Sequence, residues 1–159
     1  MSPQPVIRII GIGSPFGADR TGWELVAALG RALPGLPRGV AAETVLCRAP
    51  AADLPGHLRG VQAVVLVDAV RDGRAPGTVC AVSGGSVARR HPRLSGHGIG
   101  LGDVLDLVCA LGEGPRSVSL LGVSVAGEGV PLTRAGRRRA LDAVRRRIER
   151  IAAELESVC

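Results

Sequence analysis

The chain has 159 residues, 46% of them hydrophobic, enough for one substantial core and too few for two ordinary domains, so a single domain over residues 1–159 is expected. The formal charge is +6, yet all 20 basic residues are arginine, a uniformity that reflects residue usage more than a ligand; with no tyrosine, one phenylalanine and one tryptophan, the stacking platforms of a single-stranded nucleic-acid binder are missing. No apolar run approaches the ~20 residues of a membrane span and "MSPQPVIRII" lacks the pattern of a leader, so a cytoplasmic protein is expected, with neither nucleic acid nor membrane as partner.

Strand-length apolar runs alternate with segments of helical period, the pattern of an α/β domain. The first strand is predicted at 6–12. It runs into the glycine turn "GIGSPFGADRTGW", from Gly11 to Trp23, which contains Pro15 and delivers Asp19. A helix follows with Trp23, Val26, Leu29 and Leu33 at helical spacing, stopped by Pro34. Next come a strand at 40–47, a short helix near 51–59, and a strand at 62–68 in which the run "VVLVDAV" places Asp68. A strand at 78–82 precedes a helix that starts near His97, carries Leu101, Val104, Leu105, Val108 and Leu111, and ends at Gly112. After a strand at 117–125, Thr133 is placed as the N-cap of the last helix.

That last helix contains "RRRALDAVRRRIER". Leu141, Val144, Ile148, Ile151, Leu155 and Val158 step by three and four and make one core-facing stripe. The arginines fall on the other faces among Asp142, Glu149, Glu154 and Glu156, with spacing suited to pairs such as Asp142 with Arg146. A solvated face and a docking surface for an acidic partner both fit this pattern. Cys47, Cys80, Cys109 and Cys159 are far apart and form no C-x-x-C pair, so they read as reduced thiols rather than zinc or redox ligands.

In an open parallel sheet, ligands sit in the crevice beyond the carboxyl ends of the strands. Asp19 follows the first strand, and Asp68 closes a buried one, where a carboxylate must find water, a cation or a metal. His97 lies in "LSGHGIGLGDVLDL", where glycines leave the backbone open before a helix. Taken alone, each has an ordinary structural reading, as an N-cap, a turn residue or a surface histidine. Together they make an O, O, N set suited to a borderline divalent transition metal. His57, on the short helix, and His91, among Arg89, Arg90 and Arg93, are less suited.

At this point the sequence resembles the maturation endopeptidases of nickel–iron hydrogenases. "GIGSPFGADRTGW", "VVLVDAVRDGRAPGTV" and "SGHGIGLGDVLDL" resemble that family's strand-turn-acid, second acidic and histidine motifs in order, and "SLLGVSV" with "LTRAGRRRALDAV" its last strand and helix. The resemblance implies a three-layer α/β/α sandwich around a twisted, mostly parallel sheet of about five strands. It implies that Asp19, Asp68 and His97 contact a metal and serve catalysis, and that nickel, carried by the substrate, is the signal for cleavage. The substrate is then the nickel-loaded precursor of a hydrogenase large subunit, which loses a C-terminal extension to this aspartic-type endopeptidase, itself expected to be a monomer. The chain has Ser14 where family members commonly carry asparagine, and Ala18-Asp19 where many carry paired acids; Asp19 matches the second acid, the one expected to bind metal.

Two other classes compete. Gly11, Gly13 and Gly17 have a spacing close to that of a dinucleotide-binding oxidoreductase, with Glu43 as a possible ribose ligand, but Pro15 and Asp19 stand where a pyrophosphate would approach. A non-catalytic binding paralogue would use the same fold to dock through its arginine-rich helix.

Overall fold

The computed structural model describes residues 4–13, 20–31, 33, 36–83, 106, 110, 112, 114–127 and 130–157. The expected Asp19 turn, the His97 motif, His91, Cys109, Val158 and Cys159 lie outside the described residues.

Five strands, β1 (Val6–Ile12), β2 (Ala41–Cys47), β3 (Ala63–Val70), β4 (Val79–Ser83) and β5 (Ser117–Ser124), form one sheet in the order β2-β1-β3-β5-β4. β1 pairs in parallel with β2 and β3, and β3 with β5; β4 runs antiparallel to β5 at the edge. The central strands read as continuous apolar runs because both of their faces are covered. In β3, every residue but Ala69 is buried.

Period two sorts the strand residues into two cores. Ile7, Ile9, Val65, Val67, Leu121 and Val123 join Leu25, Val26 and Leu29 of α1 (Arg20–Gly30) and Ala140, Val144, Ile148, Ile151 and Ala152 of α3 (Arg134–Glu156). Ile10, Ile12, Cys47, Val64, Leu66 and Leu120 face the other way, against Leu54 of α2 (Pro50–His57) and Leu58 just beyond it. Helices thus cover both faces, as the α/β/α expectation requires. Of the predicted helix from His97 to Gly112, Asp106 and Ala110 are helical, and Gly112 has a φ of 68°, a helix-ending conformation that glycine adopts without strain.

Several expected boundaries move. β3 runs two residues past Asp68, because Ala69 and Val70 still find partners in Val123 and Ser124 of β5. α1 ends at Gly30, ahead of Pro34, with Arg31 N–H donating to Ala28 O in a final tight turn. Trp23 is half-buried outside the core stripe: its indole N–H donates to Cys47 O over the end of β2. On α3, Asp142 pairs with Arg145 at 3.7 Å rather than with Arg146, since residues three apart are also neighbours on a helix. Thr133 is the N-cap as expected, its Oγ1 accepting from Gly136 N–H at 3.0 Å.

The tightest packing is between α1 and the sheet. A Cβ on Gly22 would stand 2.4 Å from Ile12 O and 2.6 Å from Val67 O, and one on Gly11 would stand 2.8 Å from Gly22 O. The obstacles are backbone atoms, which cannot step aside. Gly22→Ala is therefore expected to lose about 1–3 kcal/mol despite alanine's better helix propensity. Gly56→Ala, where an added Cβ meets nothing within 4 Å, is expected to gain roughly 0.5–1 kcal/mol. Urea midpoints with unchanged slopes would check both.

Cys47 is fully buried, and its thiol is pushed up to about 11, first by desolvation and then by the Asp53 carboxylate, against a lowering hydrogen bond from the Ala49 backbone. A raised folded value means stability that is complete below the unfolded value near 9 and is lost as pH climbs towards 11. The chain has no lysine or tyrosine to mask this limb. Stability is expected to fall by about 1.4 kcal/mol per pH unit across this window. Cys47→Ala should flatten the fall, as read from urea midpoints between pH 8.5 and 11.

Candidate active site

The strand order places β1 and β3 side by side, with β2 reached in one direction and β5 in the other. This is the point where the sense of winding reverses, and in open α/β sheets ligands bind at such a point, beyond the carboxyl ends of the strands. Gly22 brings the first turn of α1 onto the ends of both strands. The chain between Gly13 and Arg20 therefore begins and ends at this edge, with Asp19 joined directly to Arg20.

Asp68 sits near the carboxyl end of β3 and is only 5% exposed. Its Oδ1 accepts the N–H of Ala69 at 2.8 Å, which fixes the carboxylate against the strand. On the β5 side its register neighbour is Gly122, which puts no side chain beside it, and beyond Gly122 comes Cys80 of β4, half-buried and a free thiol. The sequence reading gave Gly122 no role, although a glycine inside an apolar strand is the signal for close approach of a ligand or another chain.

Of the three residues expected to converge, the structure describes Asp68 alone; Asp19 and His97 lie outside the described residues. No cluster of three or more metal-ligating side chains is found among the described residues.

The other walls are described. Beyond β2, the Arg48 guanidinium lies 5.3 Å from the centre of the Trp23 ring. Gly13 N–H donates to Cys47 O at 3.2 Å, tying the ends of β1 and β2 together. Burial keeps the Cys47 thiol protonated at neutral pH, so it does not serve as a nucleophile. Beyond β3, Asp72 opens a tight turn. Burial works against its charge, but the Arg74 N–H, the Ser124 hydroxyl and the Arg74 guanidinium outweigh that and hold the carboxyl below its usual range.

Glu43 is not available to a ribose. It lies in mid-strand, paired in register with Arg8, and its carboxylate takes the Arg8 guanidinium at 2.5 Å. The same guanidinium donates to His57 O and Arg59 O at the end of α2. The residue is structural.

The comparisons with known proteins agree with this layout. A family model described as hydrogenase maturation protease matches residues 49–154, a stretch that includes Asp68. No curated protein matches significantly. Among solved structures, the hydrogenase-maturating endopeptidase HybD of Escherichia coli is 26% identical with a TM-score of 0.65, covering 87% of this chain and 88% of that one. An Escherichia coli endopeptidase solved in solution is 27% identical, with a TM-score of 0.67 and the same coverage of both chains. The [NiFe] hydrogenase maturation protease HybD of Thermococcus kodakarensis shares the fold at 22% identity and a TM-score of 0.63, over 88% of this chain and 97% of that one. No helix among the described residues is long and apolar enough to cross a membrane. With a match that runs through the strand bearing Asp68, the chain belongs to the hydrogenase maturation protease family.

Proposed function

We propose that this endopeptidase acts in the cytoplasm, as a single-domain monomer, on the nickel-loaded precursor of a nickel–iron hydrogenase large subunit and removes its C-terminal extension. The observation that carries the reading is the buried carboxylate of Asp68 at the switch point of the sheet. Asp19 and His97 are its partners in this reading. Asp19 is bonded to the first residue of α1, whose start lies over the ends of β1 and β3.

Topology supports His97 on the same side. β5 begins at the amino end of the parallel strands, where Ser117 pairs with Ala63. A helix that feeds a parallel strand runs opposite to it, and one of about 14 residues covers roughly 21 Å, close to the length of the strand. A helix beginning at His97 would then begin near the carboxyl edge, the Asp68 side.

Nickel enters as the precursor's cargo, and the donor set fits it: two carboxylate oxygens and one imidazole suit a borderline divalent ion. A bound ion of this kind polarises a peptide carbonyl and acidifies a water. The chain's own residues hold and orient. Asp68 is fixed by Ala69 N–H, and a carboxylate of the site takes the proton of the attacking water.

The test is the intact mass of the precursor, with nickel loading established, after incubation with the protein, Asp68→Asn or His97→Ala. The C-terminal peptide should be lost with the unmodified protein, and the rate should fall by at least about 100-fold in each variant while its thermal midpoint is retained. Full processing by Asp68→Asn would remove it from the mechanism. An uncut loaded precursor beside the unmodified protein would overturn the proposed substrate.

A further inference from the structure

α3 carries its charges in the order that a helix disfavours. Arg134, Arg137, Arg138 and Arg139 crowd its first two turns, with no acidic residue in the first turn, while Glu154 and Glu156 stand at its end, with no basic residue in the last turn. The positive end of the helix dipole repels cations, so each misplaced charge costs stability. Local choices that oppose stability are expected where a surface has a task.

The crowded end lies beside the site. Gly77 N–H donates to Ser124 O at the end of β5, and Gly77 packs so closely on α3 that an added Cβ would stand 2.4 Å from Gly136 O. Arg139 donates to Pro76 O at 3.0 Å. The turn over Asp72–Gly77 is thereby fastened to α3, and it is also braced internally: Arg74 N–H to Asp72 Oδ1 at 3.1 Å, Thr78 Oγ1 to Ala75 O at 2.6 Å, and Gly73 at a φ of 77°. It leaves β3 a few residues after Asp68 and holds Arg71 and Arg74 exposed.

Part of this charge is answered within the chain. Arg137 pairs with Glu24 at 2.7 Å and Arg74 with Asp72 at 3.6 Å. Arg134 and Arg138 are exposed and have no partner among the described residues. Val130, in the segment that joins β5 to α3, is 46% exposed.

We infer that the Asp72–Gly77 turn and the first two turns of α3 form a preorganised basic shelf that docks an acidic segment of the precursor protein beside the catalytic edge; the inference rests on the processing reading above. A rigid shelf loses little entropy on binding, and uncompensated arginines select an anionic surface. A protein is the occupant rather than a nucleic acid, since the only tryptophan is already engaged with Cys47 O and Arg48 and the chain has no tyrosine.

The experiment compares initial processing rates of loaded precursor, read by mass, for the unmodified protein, Arg134→Glu/Arg138→Glu, and Arg146→Glu/Arg150→Glu. Both pairs change the net charge equally on one helix, the second pair about 18 Å further along it. The shelf pair should raise KM about tenfold and flatten its rise with salt, while its thermal midpoint holds or climbs, because acids suit a helix N-terminus. The distal pair should leave KM within about twofold. Equal losses in both pairs would reduce the effect to net charge and overturn the shelf, as would an unchanged KM in the shelf pair. So would shelf-dependent retention on duplex DNA or anionic vesicles with unchanged precursor KM. No cleavage by the unmodified protein would instead overturn the processing reading, and the shelf with it.

Discussion

The structure depends on a backbone-to-backbone approach that only glycine permits. Gly22 lets α1 rest on the carbonyls of Ile12 and Val67, and Gly11 opens the reciprocal space beneath Gly22 O. The contact bridges β1 and β3, the two strands that flank the switch point, and so it sets how the helix meets that edge of the sheet. Trp23, one residue further on, reaches across to Cys47 O and draws the end of β2 into the same arrangement. Moving α1 outward by the width of a methyl group would shift the start of the helix, to which Asp19 is joined in sequence.

The two ends of the sheet are built for different purposes. The amino end is stitched by half-buried and exposed polar groups. Val6 N–H donates to Gln62 Oε1 at 2.7 Å, Gln62 N–H to Val6 O at 3.0 Å, and Arg116 N–H to Gln62 O at 2.9 Å. Arg8 adds a link from β1 through Glu43 of β2 to the last carbonyls of α2. These bonds join groups of the chain to one another, so that end contributes cohesion. The carboxyl end carries instead a buried carboxylate, a missing side chain at Gly122 and exposed arginines, none of which a stability argument alone would select.

Much of this was legible in the residues, and the parts that were not share a cause. Continuous apolar runs mark β1 and β3 because both faces of a central strand are covered, and Asp68 stands out for the same reason: a charge in such a run is an exception that needs a purpose. The strand order cannot be read from periodicity, and β3 extends past Asp68 only because β5 supplies partners for Ala69 and Val70. Trp23 fits a helical stripe on paper yet reaches over the sheet edge, since spacing says nothing about the carbonyl waiting there. Glu43 looked free to bind a ribose until register set Arg8 beside it. The parts expected of Asp19 and His97 rest on their places in the sequence and on resemblance to a family, and both residues lie outside the described residues. Asp68 was legible by burial and charge alone.

One thiol at the carboxyl edge is set aside by its burial. The Cys47 thiol is held in the core and stays protonated, so the described carboxyl edge does not supply it as a nucleophile. A carboxylate is a weak base for an ordinary water at neutral pH, because its conjugate acid lies far below that of the proton it must accept. On the proposed reading, an ion carried by the precursor would close this gap, because a bound divalent metal acidifies water. Loading would then be sensed through the chemistry itself. An empty precursor could dock on the basic shelf and still escape cleavage, because the base that meets it is too weak to act alone.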